Sequence, residues 1–115
     1  MKVDYKDNSQ QILSALEKGK RNALTAIGSS AETYAKDNIT ADDLIDTGRL
    51  RNSISHAVDG EAAYIGTNVE YAPYLELGTK KITAHHYLKR SVTEHKDEYK
   101  NLTAQAIQSA INNSQ

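Results

Sequence analysis

Cysteine, phenylalanine and tryptophan are absent from this 115-residue chain, and proline occurs once. The missing cysteines exclude disulfides, thiolate nucleophiles and Cys-ligated zinc together. No apolar run approaches the ~18 residues that a membrane-spanning helix needs. The first residues, MKVDYKDNSQQ, lack the apolar core of a secretory signal, so synthesis and folding in a cytoplasm is the expectation. Neither sign of charge dominates, with 14 Lys and Arg against 15 Asp and Glu. A chain so balanced has no overall basic excess for a non-specific grip on DNA phosphates. The length suits one domain over residues 1–115, with 1–8 and 112–115 expected to fray.

What is present falls into three sections. Between about Ser9 and Asn38, the residues Ile12, Leu16, Ala23, Ile27, Ala31 and Tyr34 recur mostly at three, four or seven. That spacing predicts one long amphipathic helix with this set as its buried stripe. Asn8 or Ser9 is the expected N-cap. Gly19 and Gly28 inside it mark either a tolerated bend, the simpler reading, or the close approach of another backbone. Thr40 and Asp43 have the spacing of a short capping box.

The period then changes. RNSISHAV alternates in twos, Asp59-Gly60 follows, and EAAYIGT reads as a returning strand, which predicts a β-hairpin closed by a two-residue turn. That turn would set Ile54 opposite Ile65, His56 opposite Ala63 and Ser55 opposite Tyr64, with the Ile face toward the core.

In NVEYAPYLELGTKK the helical period returns briefly. Pro73 is tolerated only in a first turn, so a helix must begin near Val69 or Glu70, and Gly78 in a left-handed conformation would close it after barely two turns. Beyond GTKKITAH, the series Leu88, Val92, His95, Tyr99, Leu102, Ala106 and Ala110 predicts a second long helix, with no Gly or Pro after Gly78. The expected fold class is α+β: a long N-terminal helix, a β-hairpin with an optional third strand near Ile82, a two-turn helix and a long C-terminal helix.

No catalytic chemistry stands out. His85 and His86 would diverge by about 100° on a helix, and no two histidines are four apart to share a face, so no metal site is expected. Ser53 and Ser55 lie outside any G-x-S-x-G elbow, and GTKK lacks the second glycine and spacing of a phosphate loop. No cofactor is expected.

Four short stretches in fixed order, DTGRLRNSI, YIGT, YAPYLELGT and HHYLKRSV, resemble the head-to-tail joining family of long-tailed bacteriophages. The resemblance covers about Asp46 to Val92. It departs from the family pattern where His86-Tyr87 and Ser91 stand in place of a Pro-Phe pair and a further Pro. It implies a structural virion protein, not an enzyme, in the neck or tail-completion region and assembled in the bacterial host cytoplasm. It also implies a ring of identical subunits, sixfold in expectation, between a head-closure or connector protein and a tail terminator or tail-tube protein. DNA would pass through the ring without specific binding, and no membrane partner is implied.

A ring subunit needs two complementary patches, and such surfaces favour Tyr and Arg. The candidate interface residues are Arg49, Arg51, Tyr71, Tyr74, Glu76, Lys80, Lys81 and Tyr87. Tyr71 and Tyr74 have a competing role as core under the hairpin. Glu76, if buried, needs a cation, and Arg49 or Arg51 is the candidate, inside the subunit or across a seam. Lys80, Lys81, Lys89 and Arg90 have ordinary solvation as their alternative. A different class of function, a small nucleic-acid-associated protein or a nuclease using His85, draws on the basic clusters and histidines, and a generic interaction module is a third.

Overall fold

A computed structural model describes residues 9–44 and 47–113. Helix α1, Ser9–Ala41, is the axis of the molecule. Its 33 residues make a rod of about 50 Å at 1.5 Å per residue, and the principal extents are 76 × 23 × 22 Å. All the following elements except α3 (Ala72–Leu77) pack closely along it.

The long helix is as expected, but its buried stripe is turned. Ala15, Gly19, Ala23, Gly28, Ala31, Ala35 and Ile39 face inward, while Ile12, Leu13 and Leu16 are exposed. Small residues won because the partner comes very close: a Cβ on Gly19 would lie 2.8 Å from the Ile107 Cα. Gly28 faces the His56 ring, at 2.8 Å from the same imagined atom. Both glycines therefore mark close approach, and α1 runs through them without interruption.

Two local expectations for residues 40–53 are corrected. Thr40 is the tail of α1, its hydroxyl donating to the Lys36 carbonyl, and Asp43 has φ of 49°, so the pair forms no capping box. Residues Thr47–Ser53 form a helix, α2, so Arg51–Ser53 are helical where alternation suggested the start of a strand; Leu50 is fully buried on it. The expected N-cap Asn8 and motif residue Asp46 lie outside the described residues.

The hairpin is present, with β1 at Ser55–Val58 and β2 at Ala63–Gly66. Its pairing is displaced by two residues: Ser55 faces Gly66, His56 faces Ile65, Ala57 faces Tyr64 and Val58 faces Ala63. The loop takes four residues, 59–62, in place of two. Asp59 accepts hydrogen bonds on Oδ1 from the amides of Glu61 (2.7 Å) and Ala62 (2.8 Å), and Asp59 N–H donates to Ala62 O. A carboxylate that collects two amides outcompetes the left-handed turn, and Gly60 has no positive φ. A shift of two keeps every side chain on its face, so the Ile face still points inward: Ile54 is buried and Ile65 packs on the core.

Helix α3 places Pro73 in its first turn, as the missing amide requires. Gly78 ends it with φ of 79°, but with ψ of 168°, which is extended and not the left-handed helical cap. No third strand forms near Ile82; the described residues hold one two-stranded sheet. The expected C-terminal helix is two helices, α4 at Tyr87–Thr93 and α5 at Lys96–Asn113. The break has a cause at Tyr99, whose hydroxyl takes the Ser91 carbonyl. Asn112 and Asn113, expected to fray, belong to α5.

The core lies at one end of the rod. Ala35, Ile39, Leu44, Leu50, Ile54, Val69, Ala72, Leu75 and Tyr87 form one cluster, with Ile65, Tyr71, Ile82 and Leu88 packed against it. Among the described residues the other end is chiefly α1 paired with α5, and this arm buries mainly alanine and glycine.

Candidate assembly surface

The turn that contains YAPYLELG is built by helical spacing. Leu75 is buried and Leu77, two positions on and about 200° around the helix, is 71% exposed. Tyr74 is also outward, at 57% exposure. Beside them a cleft of about 410 Å³ opens between the end of the hairpin and the helices α3 and α4, with Val69, Ala72, Pro73, Leu77 and Leu88 among its lining.

Glu76 organises the way back from this turn. Its Oε1 accepts the Leu88 amide at 2.6 Å, at the start of α4, while its own carbonyl accepts the His86 amide. His86 adopts the left-handed conformation there, φ 50° and ψ 41°, and its Nδ1 lies 3.8 Å from Glu76 Oε2. A carboxylate at a helix N-terminus satisfies an otherwise unpaired donor. Within the chain, then, Glu76 is held by α4 and His86. Arg49 instead pairs with Glu70 through two contacts, 2.9 and 3.2 Å, and stands 5.4 Å from the Tyr71 ring centroid. Its own amide first, and then Arg49, hold the Glu70 carboxyl below the usual range. Arg51 is half-buried, and its Nε has no hydrogen-bond partner among the described residues. The intramolecular pairing of Glu76 with Arg49 or Arg51 is thus replaced by Glu70–Arg49 and by the capping of α4.

The remaining candidates divide sharply. Tyr87 is fully buried, donates from its hydroxyl to the Ala72 carbonyl at 3.0 Å, and offers no surface to a neighbour. Burial pushes that hydroxyl up to about 12, with the Glu76 charge adding to the effect. Tyr71 is half-buried against the core. Lys80 and Lys81 are exposed in the loop after Gly78, where Thr79 Oγ1 accepts the amides of Lys81 and Ile82. A Cβ on Gly78 would come within 2.8 Å of the Ala84 amide, so this loop can fold back only over a glycine. His85 contacts Asp42 Oδ2 at 3.2 Å through Nδ1, and Arg90 reaches the same oxygen at 2.9 Å. Among the described residues, no group of three or more His, Asp or Glu is placed to hold a metal, and no helix is long and apolar enough to cross a membrane.

A second apolar surface escaped the sequence reading. Ile12, Leu13 and Leu16, exposed by 46%, 56% and 37%, lie on the arm beyond the hairpin loop, which is tied to α1 by Lys20–Glu61 at 2.9 Å. The signal was available in the spacing of Ala15, Gly19 and Ala23, which is a stripe of its own, four by four.

Residues 5–78 match the family model HK97-gp10-like, described as "Bacteriophage HK97-gp10, putative tail-component". The chain belongs to this family. The match takes in α1, α2, the hairpin and α3, and ends at Gly78, so DTGRLRNSI and YIGT lie within it, YAPYLELGT lies within it as far as Gly78, and HHYLKRSV lies beyond. The family makes the protein a phage tail component and places it with the virion. No curated protein and no solved structure matches the chain.

Proposed function

We propose that this phage tail component is a non-catalytic subunit of the neck or tail-completion region that joins copies of itself head to tail into a ring. In this reading the ring, sixfold in expectation, sits between a head-closure or connector protein and a tail terminator or tail-tube protein. DNA passes through its centre without specific binding, and assembly takes place in the host cytoplasm.

The observation that carries the reading is the pair of separated apolar surfaces on a family member. Ile12, Leu13 and Leu16 are on the arm, and Tyr74 and Leu77 are at the core end. Measured along α1 from Leu16 to Ile39, the two lie roughly 35 Å apart. Two different patches that one chain cannot bring together suit a heterologous contact, the kind that closes into rings. Arg49, Arg51, Glu76, Lys80 and Lys81 are further candidate contacts in this reading, and the formal charge of −1 suits a channel that does not hold DNA.

The test uses purified full-length protein and two variants, Leu16→Glu and Leu77→Glu, in light scattering and negative-stain microscopy. Wild type is expected to form rings, alone or on added connector and tail-terminator proteins. Each variant alone should stay monomeric, and their equimolar mixture should stop at dimers, because each retains the surface the other has lost. Wild type that stays monomeric at high concentration and binds neither neck partner overturns the proposal.

A further inference from the structure

The joint between α4 and α5 has no sequence cause. Residues 79–113 contain neither glycine nor proline, and Leu88, Val92, His95, Tyr99 and Leu102 keep a helical period straight through it. Glu94, the residue at the break, sits at φ −84° and ψ −5°, a small step from helical values. Its amide still donates to the Arg90 carbonyl at 3.0 Å, and Tyr99 N–H still donates to His95 O at 3.0 Å. What differs is the ladder at the amides of His95 and Glu98, which do not reach the carbonyls of Ser91 and Glu94, and the Ser91 carbonyl has another donor. In an unbroken helix it would accept from the amide four residues on, that of His95. Here it accepts the Tyr99 hydroxyl.

We propose that the α4–α5 joint is a two-state hinge, in which the Tyr99 hydroxyl and the His95 amide compete for the Ser91 carbonyl. In the observed state the hydroxyl holds the carbonyl and the chain turns. In the other, the carbonyl returns to the helix ladder and residues 87–113 run as one straight helix. Tyr99 is 8% exposed and Ser91 fully buried, so the hydroxyl needs a partner inside the protein, and it has the Ser91 carbonyl. Both sides of the joint are anchored to α1 or to Asp42 just beyond its end. Arg90 of α4 binds Asp42, and Asn38 Nδ2 donates to the Tyr87 carbonyl at 3.1 Å. At the first turn of α5, His95 stacks on Tyr34, with ring centroids 3.5 Å apart and planes 3° from parallel, and the Tyr34 hydroxyl donates to Glu98. Straightening leaves the α4 anchors in place and releases the Tyr34 clamp, which would swing the arm helix α5 relative to the core end. The hinge stands on these contacts and does not depend on the ring.

Two variants of the full chain separate the states. Lys96 is the first residue of α5, a position that accepts proline, whereas in a continuous helix its amide would be needed by Val92 O. Lys96→Pro therefore permits only the bent state. Tyr99→Phe removes the competitor. Nuclear magnetic resonance saturation-transfer measurements on wild type should find a minor state at the amides of residues 92–97, and Lys96→Pro should abolish it while keeping the fold. Tyr99→Phe should raise its population roughly fivefold, the size of one lost hydrogen bond, and should slow hydrogen exchange of the His95 amide. The hinge is overturned by a wild type with no minor state, by a Lys96→Pro chain that unfolds, or by a folded Tyr99→Phe chain whose His95 amide exchanges as before. If Tyr99→Phe does not fold, the comparison of wild type with Lys96→Pro decides alone.

Discussion

The core end and the arm of this protein share helix α1 but are held together by different physics. At the core end, leucine, isoleucine and Tyr87 interlock from five elements, so removing any of them leaves a cavity. In the arm, two helices touch along Ala15, Gly19, Ala23 and Ala110, while Ile12, Leu13 and Leu16 are exposed and Leu102, Ile107 and Ile111 are only half-buried. Burying alanine removes little apolar area from water, so the arm depends on close contact between backbones. One end of α1 is thus a folded core in its own right, and the other is a pair of rods with apolar surface to spare. Such a difference suits a subunit whose core end fixes its shape while its arm is completed by a neighbour.

The most severe way to break the comparison is to make the same deletion at both ends. Leu50→Ala, at a fully buried site, should lower the unfolding free energy by about 3 kcal/mol. Leu16→Ala, on the exposed arm, should leave it within about 0.5 kcal/mol. Urea unfolding followed by circular dichroism measures both. Equal losses would mean that the arm is as well packed as the core.

Alkaline pH sharpens the contrast between core and joint. Burial pushes the Tyr87 hydroxyl up to about 12, and does the same at Tyr99, where the Glu98 charge adds to it. The folded state therefore favours the neutral phenol. The resulting stability is complete below the ordinary tyrosine value near pH 10, and is lost as pH rises from there through about 12. Each tyrosine should contribute up to about 1.4 kcal/mol of loss per pH unit in that window. Tyr87→Phe should visibly flatten the slope, measured as urea midpoints between pH 9 and 11.5, with Tyr99 and the hydroxyls of Tyr34 and Tyr64, held up by Glu98 and Asp59, accounting for what remains.

These contrasts also explain what could be read in advance. The long helix, the hairpin, its inward Ile face and the Pro73–Gly78 turn were legible because each rests on a local rule: a period, an alternation, a missing amide. The buried stripe of α1 was misread because hydrophobicity favours Ile12 and Leu16, whereas the packing of α5 selects for small size at Gly19. The hairpin register depended on what the Asp59 carboxylate would bind, and dipeptide preference carries no information on that. The α4–α5 break was invisible because it arises between Ser91 and Tyr99, in a stretch with no breaking residue. At the candidate surface, Tyr74 and Lys80 are exposed, while Tyr87 is buried and cannot be a contact; an aromatic at helical spacing reads alike whether it faces a partner or the core. Glu76 found its partner in an amide that only the returning loop brings near.

A smaller effect tests whether the arm really depends on backbone proximity. Gly19→Ala gains about 1 kcal/mol in helix propensity, yet its new methyl group would meet the Ile107 Cα at 2.8 Å. Overpacking against backbone should win, for a net loss of about 1 kcal/mol, seen as faster hydrogen exchange along α5 with α2 and the hairpin unchanged. Gly28→Ala meets the His56 ring instead, and a side chain yields more easily than a backbone, so its loss should be smaller.

The mildest change bears on the turn at the core end. Glu76→Gln keeps an oxygen for the Leu88 amide but removes the charge beside His86 and the start of α4. The expected loss is about 0.5 kcal/mol, the scale of a carboxylate at a helix N-terminus, and it should shrink as salt is added. Glu76→Ala, which also takes away the acceptor, should lose about 1 kcal/mol more. If the two variants unfold at the same urea midpoint, the hydrogen bond to Leu88 contributes nothing, and the route from α3 to α4 is held by Gly78 and the paired amides of His85 and His86 alone.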